Sequence, residues 1–346
     1  MPHRSRKNPV RYFYRRNKMI TKTGIFYASG TCPEMNLALE EYLLFHTESG
    51  ECLLYLWQNE RTVVVGRNQN CWKECDVSRL KEEGGHLVRR LSGGGAVYHD
   101  LGNLNFTFLV RKEDYDLERQ LLVIKKAVES FGVPVEKSGR NDLLAKDRKF
   151  SGNAYYESGD FAYHHGTILI DADKEQMARY LTVSKEKLKS KGVDSVRSRV
   201  GNLKDLCSEI TVERMKEAME KAFEEVYGVT PQKRKLDEKE EKKVRDLKEK
   251  YDSFDWKYGR KISFTHCFSR RYSWGNAELE LFVNQGKIQQ AVLYSDALNT
   301  ELSEAGQKLL GCPYEREAVI QRIEECSSVL GQEIAEDLKK LILEEL

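Results

Sequence analysis

The sequence predicts an α+β protein with two domains, a large one built around a mixed sheet and a small one at the C-terminus. The chain has 346 residues, more than the roughly 100–200 residues of a typical domain. Segments with helical spacing and segments with strand alternation are intermixed, and a highly charged stretch at residues 233–250 interrupts them. A hydrophobic fraction of 40% is typical of a globular protein with a substantial core.

The elements of the large domain are predicted from the spacing of apolar residues. A helix begins near Pro33, since proline is favoured in the first turn, and its apolar residues follow at helical spacing: Met35, Leu39, Tyr42 and Leu43. Two further amphipathic helices end at Gly132 and Gly228. Strands are predicted at residues 52–57, 62–65, 142–145, 150–156 and 167–170.

The remaining elements belong to a connector and the small domain. Between residues 233 and 250, 15 of 18 residues are charged, while Leu236, Val244 and Leu247 lie near one helical face. We interpret this stretch as a solvated connecting helix with a narrow packing stripe rather than as a binding surface. A strand then turns at Asn284-Gln285-Gly286 into a second strand, and helices follow at residues 302–310, 320–330 and 334–343.

These patterns divide the chain into a basic extension (1–18), a large domain (19–232), a charged connecting helix (233–253) and a small domain (254–346). Residues 1–18 contain seven basic residues and no acidic residue. Such an arm is typical of nucleic-acid contact or of an organelle presequence. We interpret it instead as an unstructured extension that activity does not require, because a more ordinary sequence starts at Met19.

The composition also indicates the compartment. No apolar run approaches the ~20 residues of a membrane-spanning helix, so we expect no membrane association. Eight cysteines are too few for a disulfide scaffold at this length, and no signal-peptide core lies near Met1. We therefore expect free thiols in the cytoplasm. Cys71 and Cys75 lie four residues apart, but no second pair with ligand spacing follows them, which favours ordinary thiols over a metal site.

The strongest functional signal is the glycine-rich segment Arg89-Arg90-Leu91-Ser92-Gly93-Gly94-Gly95-Ala96-Val97-Tyr98-His99-Asp100. Three consecutive glycines let a ligand approach the main chain, whose N–H groups can bind an anion. The two arginines add fixed positive charge suited to phosphate or carboxylate. The segment is neither a Walker loop nor a dinucleotide fingerprint. On its own, it is also compatible with a hairpin turn that binds nothing.

A second signal combines Arg140-Asn141-Asp142 with Lys149-Phe150-Ser151-Gly152. A lysine on the inward face of a strand must find an anion or change its pKa, although most lysines point to solvent. Asn141 and Asp142 add an amide and a carboxylate one strand away, where a carboxylate could hold Mg²⁺ or bind a base.

Two further segments are weaker signals. The adjacent residues His164 and His165 face opposite sides of a strand, which favours packing and hydrogen bonding over joint metal binding. The basic loop at residues 191–203 is compatible with phosphate contact and with plain surface to a similar degree.

Together, these segments resemble the signature of the lipoate–protein ligases. The matching segments, in the family's order, are residues 36–42, 66–70, 89–105, 141–143, 149–154, 164–167 and 191–200. The resemblance covers the chain from Met19 to the C-terminus. It departs at Cys71, where the family often has proline.

The resemblance implies a fold of the biotin/lipoate ligase type with a small α+β C-terminal domain. It also implies a reaction in two steps, in which ATP activates lipoate to lipoyl-AMP and the lipoyl group then passes to a lysine of a carrier protein. ATP with Mg²⁺ and lipoate are the implied ligands, with no tightly bound prosthetic group.

The resemblance further implies roles for single residues. Lys149 matches the lysine that contacts the acyl carbonyl and the α-phosphate, and it is the implied catalytic residue. The implied ATP-binding residues are Arg90, Gly95, Ala96, Val97, Tyr98, Asn141, Asp142 and Lys149. The implied lipoate-binding residues are Arg90, Ser92, Gly93, Gly94, His99, Lys149 and His165. Asp142 is the implied ligand of Mg²⁺.

The implied partners are lipoyl domains of 2-oxoacid dehydrogenase acyltransferase subunits and the glycine-cleavage carrier protein, and a monomer is expected. The alternative is a lipoyltransferase that uses preformed lipoyl-AMP or an acyl-carrier donor. Transferases of this fold that form a thioester need a cysteine near the lysine motif, and no cysteine lies between Cys75 and Cys207. A nucleic-acid-binding protein would need a reading module, which the sequence lacks.

Overall fold

The computed structural model describes residues 20–138, 142–182, 200–259 and 263–346. Within these ranges the strands are β1 (Lys22–Tyr27), β2 (Glu51–Trp57), β3 (Thr62–Val65), β4 (His86–Arg89), β5 (Val97–His99), β6 (Asn103–Arg111), β7 (Glu136–Ser138), β8 (Asp142–Ala145), β9 (Arg148–Ser158), β10 (Phe161–Leu169), β11 (Gln232–Lys233), β12 (His266–Arg271), β13 (Asn276–Asn284) and β14 (Lys287–Ser295). The helices are α1 (Pro33–Phe45), α2 (Cys71–Glu74), α3 (Val77–Glu82), α4 (Leu117–Glu129), α5 (Lys174–Tyr180), α6 (Val212–Tyr227), α7 (Glu238–Asp252), α8 (Phe254–Tyr258), α9 (Leu302–Lys308), α10 (Arg316–Glu325), α11 (Ser327–Leu330) and α12 (Gln332–Glu345).

The large domain, which we define as the described residues up to Lys233, is built on an eight-stranded sheet. The strand order is β11-β1-β2-β6-β10-β9-β8-β7. Strand β1 pairs in parallel with β11 and β2. All neighbouring strands in the series β2-β6-β10-β9-β8-β7 are antiparallel. The sheet is therefore mixed, which confirms the predicted α+β class.

Strands β2 and β3 are consecutive in the sequence but belong to different sheets. Strand β3 lies between β4 and β5 in a separate three-stranded sheet. The chain leaves β2 through Asn59, whose buried side chain accepts a hydrogen bond from Asn36, and turns at Arg61 with a φ of 38°. The glycine-rich segment connects β4 to β5, so the small sheet holds both of its ends.

Helices cover both faces of the eight-stranded sheet. On one face α4 and α6 pack over β2, β6 and β10, and Ile124, Met219 and Phe223 are fully buried there. On the other face α1 and α7 cover β2 and β10 with Leu44 and Tyr251. Each such side chain contributes about 1.5–3 kcal/mol to the free energy of folding. The site described below lies on this rigid frame.

Helix α7 is the connecting helix that the charged stretch predicts. It begins with a capping box, in which Asp237 accepts from the N–H of Glu240 and the Glu240 carboxylate accepts from the N–H of Asp237. Val244 and Tyr251 are buried against α1, and Leu247 is partly buried. The narrow packing stripe is therefore confirmed.

The small domain, residues 263–346, packs α9 to α12 with the sheet β12-β13-β14. The turn between β13 and β14 has a φ of 49° at Gln285 and 69° at Gly286, as the sequence predicts for this hairpin. Glu278, on the polar side of the alternation, is nevertheless buried, because Lys73 of the large domain binds it at 2.7 Å. None of the helices in the described ranges is long and apolar enough to cross a membrane.

Candidate active site

A cavity of about 650 Å³ lies between the glycine-rich segment, strands β9 and β10 and the small domain. Among the residues that the sequence assigns to ATP or lipoate, those that line it are Arg90, Gly94, Gly95, Ala96, Val97, His99, Asp142, Lys149 and His165. Ser92, Gly93 and Tyr98 do not line it. Asn141 and residues 191–199 lie outside the described residues. The predicted residues are thus brought together, while their contacts with substrates stay a prediction.

The glycine-rich segment is packed too closely to carry side chains. A Cβ atom on Gly93 would lie 2.4 Å from the carbonyl oxygen of Ala297 in the small domain. A Cβ atom on Gly66 would lie 2.1 Å from the carbonyl oxygen of Gly94, whose own φ of +88° favours glycine. The N–H of Gly94 donates to the Ala297 carbonyl oxygen at 2.8 Å. One amide of this segment therefore contacts the small domain.

Arg90 supports this segment from the inside. Its buried guanidinium donates to the carbonyl oxygens of Gly93 at 2.7 Å, Gly95 at 2.8 Å and Val64 at 3.2 Å, and its Nε donates to Ser92 Oγ at 2.9 Å. Burial lowers the pKa of Arg90 to about 10, which still leaves the group charged at neutral pH. In this structure Arg90 acts by fixing the shape of the glycine-rich segment.

A buried chain of hydrogen bonds connects Arg90 to a carboxylate. Ser92 Oγ lies 2.8 Å from Nε2 of His165, and Nδ1 of His165 lies 2.8 Å from Oε1 of Glu40. Because a carboxylate accepts, the Nδ1–H of His165 donates to Glu40, and Nε2 of His165 shares a hydrogen bond with the Ser92 hydroxyl group. Thr107 donates a further bond to Glu40 at 2.7 Å. Glu40 is therefore connected to the buried guanidinium of Arg90 through His165 and Ser92.

Sequence reasoning assigned no role to Glu40. A signal was present, since Asn36 and Glu40 lie four residues apart and share a face of α1. Both are buried in the structure, where polar side chains are expected to be hydrogen-bonded.

Lys149 and Asp142 form an ion pair at the cavity wall, with 2.7 Å between Nζ and Oδ1. The antiparallel pairing of β8 with β9 brings them together. A Cβ atom on Gly152 would lie 2.6 Å from the Lys149 Nζ, so glycine leaves space for the ammonium group. Of the two sequence interpretations of Lys149, the structure supports the inward lysine that meets an anion.

Two buried histidines near the site, His99 and His164, are neutral at physiological pH. Burial is the main cause that lowers the pKa of His99, which lines the cavity, to about 3. His164 faces away from His165, toward the amides of Asn153 and Gln120, and burial lowers its pKa to about 3 as well. The adjacent histidines do not share a site, as predicted.

The small domain supplies one wall of the cavity through residues that include Arg271, Trp274 and Asp296. Its last sheet residue, Ser295, donates its N–H to the carbonyl oxygen of Asn68 at 2.9 Å. The Asn68 amide in turn donates to the carbonyl oxygen of Asn299 at 3.0 Å. Sequence reasoning missed these wall residues, because no local spacing indicates contact between segments so far apart in the chain.

The donor groups in the cavity favour Mg²⁺ over a soft metal. Asp142 supplies one carboxylate, and Mg²⁺ typically takes one or two carboxylates together with substrate phosphate oxygens. None of the described residues that line the cavity is a cysteine. All eight cysteines are free thiols, as expected. Burial raises the pKa of Cys71, and it raises that of Cys75 to about 12.

Comparisons with known proteins agree with this geometry. A family model described as "Lipoyl protein ligase A/B catalytic domain" matches residues 32–224. A second, described as "Bacterial lipoate protein ligase C-terminus", matches residues 261–342. The chain is 40% identical over 306 residues to the lipoate-protein ligase A of Bdellovibrio bacteriovorus. This match covers 86% of this chain and 90% of that relative.

Three solved structures are similar to this chain, one over nearly its whole length and two over about 70% of it. P. falciparum LipL1 in complex with lipoate has a TM-score of 0.81 and 28% identity, over 93% of this chain and 100% of that one. A bi-partite lipoate protein ligase from Thermoplasma acidophilum has a TM-score of 0.63 and 26% identity, over 72% of this chain and 100% of that one. A lipoate-protein ligase A bound with ATP has a TM-score of 0.61 and 25% identity, over 69% and 99%. From these matches and the site geometry, the chain belongs to the lipoate–protein ligase family.

Proposed function

We propose that the protein activates lipoate with ATP and then transfers the lipoyl group to a lysine of a carrier protein. In the first step the lipoate carboxylate attacks the α-phosphate, the bond to the β-phosphate breaks, and pyrophosphate leaves. In the second step the lysine amine attacks the acyl carbonyl, an amide bond forms and AMP leaves. Neither step needs an enzyme nucleophile, so positioning and charge stabilisation supply the catalysis.

The observation that carries this proposal is the ammonium group of Lys149 at the cavity wall, 2.7 Å from Asp142. Negative charge grows on the phosphate and carbonyl oxygens in both steps, and a compact cation in a partly buried cavity stabilises it. Asp142 orients the ammonium group of Lys149 before the anionic substrates enter.

The residues that line the cavity include groups that suit each of the two substrates. The main chain at Gly95 and Ala96 gives the nucleotide close access without bulky side chains. Leu37, Trp57 and Val64 provide apolar walls for the dithiolane tail of lipoate. An apolar pocket with a few placed polar groups is typical of small-molecule sites.

Asp142 would hold Mg²⁺ together with the phosphates of ATP. When bound, the ion offsets the negative charge of the triphosphate. With its carboxylate on the ion, Asp142 would leave the ammonium group of Lys149 available to the α-phosphate.

Relatives support the choice of ligands and partners. P. falciparum LipL1 was solved with lipoate, a lipoate-protein ligase A was solved with ATP, and the Thermoplasma ligase is described with its E2 lipoyl domain. We extend this to lipoyl domains of 2-oxoacid dehydrogenase acyltransferase subunits and to the glycine-cleavage carrier protein. We also propose that the enzyme is monomeric and cytoplasmic.

Pyrophosphate release tests the proposal against a transferase that only uses preformed lipoyl-AMP. The protein is incubated with lipoate and Mg-ATP without an acceptor, and we expect pyrophosphate to form in proportion to lipoyl-AMP. Addition of a lipoyl domain then converts the intermediate into lipoylated carrier, measured by mass spectrometry. Transfer from supplied lipoyl-AMP without any pyrophosphate release would favour the transferase instead.

A further inference from the structure

Among the described residues that line the cavity, the cationic side chains are Arg90, Lys149 and Arg271. The first two belong to the large domain, and Arg271 lies at the end of β12 in the small domain. Within the described part of the chain, these are the three cationic groups that a triphosphate in the cavity could meet. The three side chains have different hydrogen-bond and ion-pair partners in the protein. These partners indicate which side chain can bind a phosphate instead.

Arg90 is the least available of the three. Its guanidinium donates to the carbonyl oxygens of Gly93, Gly95 and Val64, and the residue as a whole is only 5% exposed. A phosphate would have to break bonds that hold the glycine-rich segment in place. Arg90 therefore contributes its charge at a distance rather than a direct contact in this arrangement.

Arg271, in contrast to Arg90, is more exposed and has fewer partners in the protein that would have to be displaced by a ligand. Its Nη1 lies 3.4 Å from Oδ2 of Asp296, and its side chain is 24% exposed to the cavity side and solvent, whereas that of Asp296 is 6% exposed. Asp296 is fixed from behind, because its Oδ1 accepts the N–H of Asn276 at 2.7 Å. The guanidinium therefore has one carboxylate partner and further donor positions that can bind an anionic ligand in the cavity that Arg271 lines.

The position of Arg271 is set relative to the glycine-rich segment. Asp296 directly precedes Ala297, whose carbonyl oxygen accepts from the N–H of Gly94 at 2.8 Å. Gly275 allows this packing, since a Cβ atom there would lie 2.9 Å from the Ala297 nitrogen and 3.0 Å from Oδ1 of Asp296. Arg271 is thus held at the edge of the segment that the nucleotide would approach.

We propose that Arg271 binds the β- and γ-phosphates of ATP during activation, as a substrate-contacting residue that the small domain contributes to the site of the large domain. This inference rests on the proposed function. ATP carries more negative charge than lipoyl-AMP, and the additional charge leaves as pyrophosphate after the first step. A cation that serves these phosphates matters for activation and not for transfer.

The test separates the two steps in the full-length enzyme. Arg271→Ala and wild type are compared for pyrophosphate release from lipoate and Mg-ATP, and for transfer from supplied lipoyl-AMP to a lipoyl domain. We expect kcat/KM for ATP in activation to fall about 10- to 100-fold, as for loss of a charged hydrogen bond, and the transfer rate to stay unchanged. Arg271→Lys keeps a cation beside Asp296 and should recover part of the loss.

Arg270→Ala is the matched control. Arg270 precedes Arg271 on the same strand but pairs with Glu344 and Glu345 of α12. We expect it to leave both steps unchanged, and thermal unfolding of each variant reports on folding.

Three outcomes would overturn the inference: wild-type activation by Arg271→Ala, equal losses in activation and transfer, or an equal loss in Arg270→Ala. If Arg271→Ala fails to fold, Arg271→Gln decides, because an unchanged KM for ATP in that uncharged variant contradicts a phosphate contact. Absence of pyrophosphate release by the wild-type enzyme would instead contradict the proposed function.

Discussion

The ammonium group of Lys149 is the side-chain group on which the proposed chemistry depends most directly. Lys149→Ala should lower both pyrophosphate release and transfer from supplied lipoyl-AMP by ~10²–10³-fold, because the charge that it stabilises develops in both steps. Lys149→Arg should recover little. Its planar fork is larger than an ammonium group, and the space beside Gly152 is already tight.

Lys112→Ala provides the matched control for Lys149. Lys112 pairs with Glu157 at the surface, so its loss removes a lysine without touching the cavity. Both rates should stay at the wild-type level in that variant. Near wild-type adenylation by Lys149→Ala would show that the assignment is wrong.

The cysteines give a second prediction at this scale. Replacing Cys71, Cys75 and Cys207 together by alanine should leave turnover largely intact, because none of them lines the cavity and catalysis needs no thioester. Burial keeps the thiols of Cys71 and Cys75 protonated, which makes them poor nucleophiles. Mass spectrometry of the wild-type enzyme during turnover checks the same point. An acyl group bound to a thiol would favour the transferase.

Among single residues, the sequence predicts those whose roles depend on near neighbours in the chain. Lys149 and Asp142 are separated by one hairpin, so the pairing of two consecutive strands brings them together, although local spacing does not reveal the register shift in this pair. Arg271 lines the cavity from another domain, and Glu40 contacts the cavity residue His165 from a helix. Their positions depend on tertiary packing, and a single sequence without an alignment carries no direct record of such contacts.

The glycine-rich segment as an element can be tested through its contact with the small domain. Gly93→Ala places a Cβ atom 2.4 Å from the carbonyl oxygen of Ala297 and 2.5 Å from that of Leu298. Because both are backbone atoms, the small domain must move away, and we expect activation to fall by at least about 10-fold, as when a positioned group is displaced. Gly30→Ala is the control, since no atom lies within 4 Å of its Cβ position. Equal activity of the two variants would show that this contact is not needed for activation.

At the scale of elements, turns and long helices are predicted well, whereas sheet membership is not. Helix α6 ends at Gly228 in the left-handed region, and the hairpin at Lys146 and Asp147 has φ values of 46° and 61°. These features depend on local chemistry. The division of β2 and β3 between two sheets depends on the turn at Arg61 and on the buried Asn59, which local spacing does not reveal.

At the scale of the whole molecule, buried neutral histidines make stability depend on pH. The pKa values of His99 and His164 fall to about 3 in the folded state from 6.5 in the unfolded chain, chiefly because both rings are buried. Between these two values the unfolded chain binds more protons than the folded one. Stability is therefore complete above pH 6.5 and decreases as the pH falls toward 3.

This linkage predicts an acid-sensitive enzyme. Between pH 7.5 and pH 5.5 the protonation of each histidine in the unfolded chain lowers the free energy of unfolding by about 1.4 kcal/mol. For the two histidines together we expect a fall of about 2–3 kcal/mol. Urea unfolding at the two pH values measures this difference. His164→Gln keeps an amide-compatible side chain next to Asn153 and cannot titrate, so its pH dependence should be about half as steep. An unchanged slope in that variant would mean that His164 is already protonated, or is exposed to solvent, in the folded enzyme.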